Sequence, residues 1–101
     1  MSEITPKELK KKLEEKGDIL LIDVREPYEH EEYNIGGRLI PLGEFAGKLF
    51  ELEDSRNAEI VVYCRSGNRS GMAQHLMLNF GFENVHNLAG GMEAWKNEFD
   101  A

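Results

Sequence analysis

The sequence is poor in the residues that build disulfides and metal clusters. Among 101 residues there is one cysteine, Cys64, and there are three histidines. A single cysteine cannot form an internal disulfide, a Cys-x-x-Cys redox pair or a multi-cysteine zinc site. His30, His75 and His86 have no metal-ligand spacing with one another or with Cys64, so no metal site is predicted.

Long apolar runs are also absent. The longest comprises residues 19–22, against the ~20 residues that a membrane-spanning helix needs, so no association with a membrane is expected. The N-terminal residues have neither a basic start nor an apolar stretch, which argues against a secretory signal. A reducing cytoplasm is therefore the expected compartment.

Positive charge is scarce. The 12 basic side chains face 19 acidic ones, giving a formal net charge of −7. Such a chain repels phosphate backbones, and its one basic run, residues 10–12, is flanked by glutamates, so we expect no nucleic-acid partner. The strong charge and the lack of an obvious exposed apolar stripe favour a monomer.

The length predicts a single domain over residues 1–101 with one hydrophobic core. Apolar, β-branched runs predict strands over residues 19–23, 59–64 and 84–88. Helical patterns lie around them, over residues 6–16, 27–32, 42–52, 69–80 and 92–99. In the fourth, an apolar stripe that includes Met72 and Phe80 is expected to face the core. Strands that alternate with helices predict an α/β fold with a parallel sheet covered on both faces.

One loop combines several features of an anion-binding site. The predicted strand ends at Cys64, and six polar or small residues lead into the next helix: Arg65, Ser66, Gly67, Asn68, Arg69 and Ser70. Gly67 and Asn68 tolerate left-handed dihedrals, so the chain can curl until successive N–H groups point inward. The positive end of the following helix dipole adds to the same place.

A cysteine in such a loop is expected to be reactive. Donors around the sulfur stabilise the thiolate, lower the pKa of the thiol and make it a nucleophile near neutral pH. The alternative is that Cys64 is a small buried hydrophobe at a strand end, which is the commoner role of cysteine. A purely structural turn does not need a cysteine between a strand and two arginines, so the nucleophile is favoured.

The segment from Cys64 to Ser70 resembles the active-site loop of the rhodanese-like domains, specifically of the single-domain sulfurtransferases. Four further stretches match the family in the same order: residues 21–26, residues 33–37 ahead of 40–42, residues 81–82 with Val85 and Leu88, and residues 90–91 before 94–95. The chain departs from many relatives at Asn34 and Arg38, which predicts a changed pocket rim.

The resemblance implies a mainly parallel five-stranded sheet flanked by helices on both faces, and a sulfurtransferase that works without a cofactor. Cys64 would take a sulfane sulfur from thiosulfate or a related donor as a persulfide, and a thiol or cyanide would remove it. The N–H groups from Arg65 to Ser70 would hold the persulfide, and Arg65 and Arg69 would orient the small anionic donor. The alternative is a carrier that passes sulfur between proteins with little turnover of small molecules.

Three other features of the sequence bear on the site and its surroundings. Phosphatases on related loops use Cys-x5-Arg, whereas Cys64 and Arg69 form the tighter Cys-x4-Arg, which favours a sulfur atom over a phosphate. The acidic residues between positions 26 and 32 are interpreted as a solvated face, without a catalytic role. Asp23 and Arg25 are expected to have a structural role, in which they pair or cap neighbouring loops.

Overall fold

A central sheet organises the computed structural model, which describes residues 2–15 and 17–100. Within these residues the sheet has five strands, all parallel, in the order β1-β5-β4-β2-β3. The strands are β1 (Glu3–Ile4), β2 (Ile19–Asp23), β3 (Arg38–Leu39), β4 (Glu59–Tyr63) and β5 (Val85–Leu88). The helices are α1 (Pro6–Glu14), α2 (Pro27–Glu32), α3 (Leu42–Lys48), α4 (Asn68–Asn79) and α5 (Gly91–Phe99), and a 3₁₀-helix (Leu49–Ser55) follows α3. The predicted α/β fold is confirmed.

The central strand β4 shows why the sheet is covered on both faces. Successive side chains of a strand point to opposite faces. Ile60 and Val62 belong to the core cluster that contains residues of α3 and α4. Val61 and Tyr63 belong to the second cluster, which contains residues of α1 and α5. All four are fully buried, and this is why the strand reads as an unbroken apolar run.

The first helix begins as its sequence predicts. The Thr5 hydroxyl accepts a hydrogen bond from the Glu8 N–H at 3.1 Å, and the Glu8 carboxylate accepts one from the Thr5 N–H at 2.9 Å. Two N–H groups that the first turn would leave without partners are satisfied in this reciprocal way. The strands β1 and β3 have two residues each. Strands this short have no detectable alternation of apolar and polar residues, so the sequence did not predict them.

The prediction that Met72 and Phe80 face the core is wrong, because the side chains are 63% and 52% exposed. The face of α4 that packs against the sheet carries Ser70, Ala73, Gln74 and Met77. Two of these four are polar, and each is buried with hydrogen-bond partners. A hydrophobic pattern cannot identify a buried face that is half polar, so the prediction placed the neighbouring apolar residues in the core.

Exposed apolar side chains are more numerous than the sequence indicated. Phe50 is 70% exposed and lines a shallow groove together with Phe80 and Phe82. The sequence did not predict this exposed apolar surface, and the monomer stays a prediction. Across the described part of the chain, no helix combines the length and the apolar character that a bilayer span requires.

Candidate functional site

Cys64 lies at the carboxyl end of the central strand, where ligands of parallel sheets bind. It directly follows β4 and is 1% exposed. Gly67 then takes a φ of 106° and caps α4, which begins at Asn68. Residues with a Cβ rarely adopt this φ, so glycine allows the chain to turn from strand to helix within four residues of the cysteine.

Two hydrogen-bond donors of the loop point at the sulfur. The Gly67 N–H lies 3.1 Å from Cys64 Sγ, and the Ser70 hydroxyl lies 3.3 Å from it. Burial raises the pKa of the Cys64 thiol, but hydrogen bonds from the Ser70 hydroxyl and from the N–H groups of Ser70, Gly67 and Ser66 outweigh burial, so the pKa lies below its ordinary value. The arrangement therefore favours a thiolate, which is the nucleophilic form of cysteine.

The start of α5 packs tightly against the back of this loop. Met92 N–H donates to the Cys64 carbonyl at 2.8 Å, and Glu93 N–H donates to the Arg65 carbonyl at 2.9 Å. The approach is so close that a Cβ on Gly91, which has a φ of 58°, would lie 2.5 Å from the Cys64 carbonyl oxygen. Gly91 thus allows α5 to approach the cysteine loop closely enough to form these hydrogen bonds.

Both arginines of the loop are engaged by carboxylates. Arg69 donates to both oxygens of Glu29, at 2.7 and 3.0 Å, and this pair holds the pKa of Glu29 at about 2. Arg65 is exposed and lies 3.3 Å from a carboxylate oxygen of Glu93. The positive charge that the sequence placed beside Cys64 is therefore largely balanced by acidic neighbours.

The six loop residues separate into two groups by their contacts. Ser66, Gly67 and Ser70 supply the donors that lower the pKa of the thiol. The side chains of Arg65, Asn68 and Arg69 make no hydrogen bond to the sulfur among the contacts of the described residues.

Glu29 was predicted to be part of a solvated acidic face, and its contact with the cysteine loop was not expected. Its carboxylate is only 14% exposed because it accepts the bidentate contact from Arg69 on another element. Charge periodicity within α2 contains no sign of that partner, which is 40 residues away in the chain.

Asn87 on β5 was also missed. Its side-chain N–H donates to the Gly67 carbonyl at 3.0 Å, and its oxygen accepts a hydrogen bond from the Ser70 hydroxyl at 2.6 Å. An asparagine inside a strand, where this residue is uncommon, is the signal that could have found it, because buried polar groups need partners.

Asp23 and Arg25 pair as predicted, in a buried cluster beside the site. The guanidinium of Arg25 donates to both oxygens of Asp23 at 3.0 and 2.9 Å, and His30 Nδ1 lies 2.8 Å from Asp23 Oδ2. Burial raises the pKa of Asp23, but the hydrogen bonds from Arg25 and His30 outweigh burial and lower it below its ordinary value. The cluster ties α2, which carries Glu29, to the end of β2.

A cleft of about 380 Å³ lies next to the loop, between α2 and α5. Its lining mixes charges of both signs, including Arg65 and Lys96 with Glu29 and Glu93, and adds the aromatic ring of Tyr33. No cluster of His, Cys, Asp and Glu that could hold a metal ion occurs in residues 2–15 and 17–100.

Comparison with known proteins relates the whole fold to one family. Residues 5–98 match the family model described as a rhodanese-like domain. The putative sulfur carrier protein YrkF of Bacillus subtilis is 39% identical over 94 residues, which are 92% of this chain and 50% of that protein. A sulfurtransferase of Allochromatium vinosum is 34% identical over 96 residues, which are 94% of this chain and 88% of that protein.

A solved structure gives the same result for the fold. The crystal structure of a rhodanese-related protein from Thermoplasma volcanium superposes with a TM-score of 0.85 at 28% identity. The superposition covers 98% of this chain and 94% of that one. The chain thus spans half the length of one relative and nearly the full length of the other two.

Proposed function

The chain belongs to the rhodanese-like family of sulfurtransferases and sulfur carriers, and from that premise we propose that it transfers sulfane sulfur through a persulfide on Cys64. The donor is thiosulfate or a related anion, and the acceptor is a thiol or cyanide. One observation carries the proposal: at the end of the central strand, the sulfur of the chain's lone cysteine lies within hydrogen-bond distance of the Gly67 N–H and the Ser70 hydroxyl.

The first half-reaction loads the cysteine. The Cys64 thiol loses its proton to solvent, and the thiolate attacks the outer sulfur of thiosulfate. A new sulfur–sulfur bond forms as the bond inside thiosulfate breaks, and the bonding electron pair leaves with sulfite. The loop's N–H groups and the Ser70 hydroxyl stabilise the anionic sulfur, since preorganised donors act strongly where water is excluded.

The second half-reaction removes the sulfur from Cys64. Cyanide or a thiolate attacks the outer sulfur of the persulfide, the bond to Cys64 Sγ breaks, and its electron pair returns to Sγ as the thiolate. Thiocyanate or the acceptor's persulfide leaves. No second protein cysteine is needed, because the acceptor is external, and this fits a chain with one cysteine.

A specific observation favours a second candidate, a carrier that exchanges sulfur with other proteins. The charges of Arg65 and Arg69 are balanced by Glu93 and Glu29, so the rim attracts a free dianion less than two unpaired arginines would. A persulfide presented by a protein carries no such requirement for positive charge.

Steady-state sulfur transfer from thiosulfate to cyanide tests both candidates, with Cys64→Ser as the variant. Rapid turnover that vanishes in the variant supports the enzyme. Slow turnover together with fast loading of Cys64 from a protein persulfide supports the carrier. Full activity of Cys64→Ser would contradict both. Turnover of an aryl phosphate at a similar rate would overturn the preference for sulfur over phosphate.

A further inference from the structure

The hydroxyl of Ser70 faces two acceptors with one proton. Its oxygen lies 2.6 Å from Asn87 Oδ1 and 3.3 Å from Cys64 Sγ. A serine hydroxyl has a single hydrogen, so at any moment it donates to one of these acceptors and not to the other. The shorter contact is to Asn87, and oxygen is the stronger acceptor.

The orientation of the Asn87 amide is set by its other contact. The side-chain nitrogen donates to the Gly67 carbonyl at 3.0 Å, which leaves the amide oxygen facing Ser70 as an acceptor. Asn87 is 7% exposed and Ser70 is fully buried, so water does not compete freely for either group. The Ser70 hydroxyl therefore donates either to Asn87 or to Cys64.

We propose that Asn87 is a positioning residue that acts through Ser70, by competing with the sulfur of Cys64 for the single hydroxyl proton. This inference rests on the proposed nucleophilic role of Cys64. When the cysteine is a thiol, Ser70 donates to Asn87, and its oxygen is available to accept from the S–H group. When the cysteine is a thiolate, the hydroxyl turns and donates to the sulfur.

The competition fixes the sign of the effect that Asn87 has on the thiol. Turning the hydroxyl toward the thiolate gives up the hydrogen bond to Asn87, and that loss opposes deprotonation. Removing the Asn87 acceptor therefore lowers the pKa of Cys64. The loop keeps its shape, because the Gly67 carbonyl also accepts a hydrogen bond from Gly71 N–H at 3.0 Å.

Several other charged groups lie near the loop. They are Arg65 and Arg69 on the loop and α4, Glu29 on α2, Glu93 on α5, and the Asp23–Arg25 pair at the end of β2. A test on Asn87 and Ser70 changes none of these charges, so a shift in the pH profile reports the hydroxyl.

The test measures the rate of alkylation of Cys64 against pH in Asn87→Leu, Ser70→Ala and the double variant. Leucine has the shape of asparagine without its polar atoms. We expect Asn87→Leu to move the midpoint to lower pH, with about threefold more thiolate below it, a modest effect because sulfur is a weak acceptor. Ser70→Ala should move the midpoint to higher pH.

The double variant separates competition from a loss of structure. If Asn87 acts through Ser70, adding Asn87→Leu to Ser70→Ala produces no further shift. A midpoint that rises or stays unchanged in Asn87→Leu, or a shift that persists without the Ser70 hydroxyl, would overturn the proposal. If the leucine variant does not fold, Asn87→Ala replaces it in the same comparison.

Gln74→Leu is the matched control. Gln74 is 2% exposed, and its amide donates to the Val85 and Ser2 carbonyls without touching the loop. It should lose stability as Asn87→Leu does, yet keep the native alkylation profile. The profile does not depend on sulfur transfer, so the inference can fail while the proposed function stands, and the loss of transfer in Cys64→Ser tests the proposed function separately.

Discussion

Substituting Gly91 by alanine tests how α5 holds the cysteine loop. A Cβ at this position would lie 2.5 Å from the Cys64 carbonyl oxygen and 2.6 Å from the Arg65 carbonyl carbon and oxygen. Ordinary contact begins at 3.4 Å. All three atoms belong to the backbone, so no side chain can rotate away, and the loop itself must separate from α5.

The cost has two parts. Alanine at a φ of 58° costs about 1–2 kcal/mol in backbone strain. The separation also stretches the hydrogen bonds from Met92 N–H to Cys64 and from Glu93 N–H to Arg65, each contributing about 1 kcal/mol. The expected loss in the free energy of unfolding is therefore about 3–4 kcal/mol.

Gly36→Ala is the matched control, because it introduces backbone strain at a positive φ without a steric clash of the new Cβ. Gly36 has a φ of 92°, further from the left-handed minimum, and a Cβ there would meet nothing within 4 Å. Its expected loss is about 1–2 kcal/mol. Urea unfolding of both variants, compared at equal m-values, measures the difference.

The alkylation profile of Cys64 adds a second readout. In Gly91→Ala the shifted loop should lose donors to the sulfur and raise the pKa of the thiol, while Gly36→Ala should keep the native profile. Equal losses of stability in the two variants, or a native profile in Gly91→Ala, would refute the view that α5 positions the loop.

Two further predictions concern ion pairs. The pKa of Glu29 is depressed from its ordinary value of 4.5 to about 2, so the ion pair stabilises the fold above pH 4.5 and this contribution is lost as the pH falls to about 2. We expect a decline of about 1 kcal/mol in the free energy of unfolding, because Arg69 is partly exposed. In Glu29→Gln, acid titration of the unfolding free energy should lack this decline. An unchanged acid slope would contradict the pair. Asp23→Asn should lower the free energy of unfolding by about 3–5 kcal/mol, because it leaves the buried Arg25 charge without its partner. Urea unfolding measures the loss, and a value under ~1 kcal/mol, as is found for surface pairs, would contradict that role.

How much the sequence predicts depends on whether the deciding contacts are local. The capping box of Thr5 and Glu8 lies within one helical turn, so both of its partners are neighbours in the sequence. Strand β4 was found because every one of its inward residues is apolar. The loop after Cys64 was found because its turn, its donors and its helix start are consecutive.

The missed features depend on distant partners. Glu29 looks solvated until Arg69 is brought to it from another helix. The buried face of α4 carries the polar Gln74, which can be buried because its amide donates to carbonyl groups on two other segments. Asn87 has a role only because β5 lies beside β4, which places its amide beneath the loop. No periodic pattern contains this information, since it arises when the chain is folded.

The central claim is that Cys64 carries the transferred sulfur. The most direct measurement is the mass of the protein after incubation with thiosulfate without reductant and removal of the free thiosulfate, followed by the addition of cyanide. We predict a gain of one sulfur atom located on the peptide that contains Cys64, lost on adding cyanide with the release of one equivalent of thiocyanate. Release of thiocyanate by a protein whose Cys64 never gains a sulfur atom would contradict the claim.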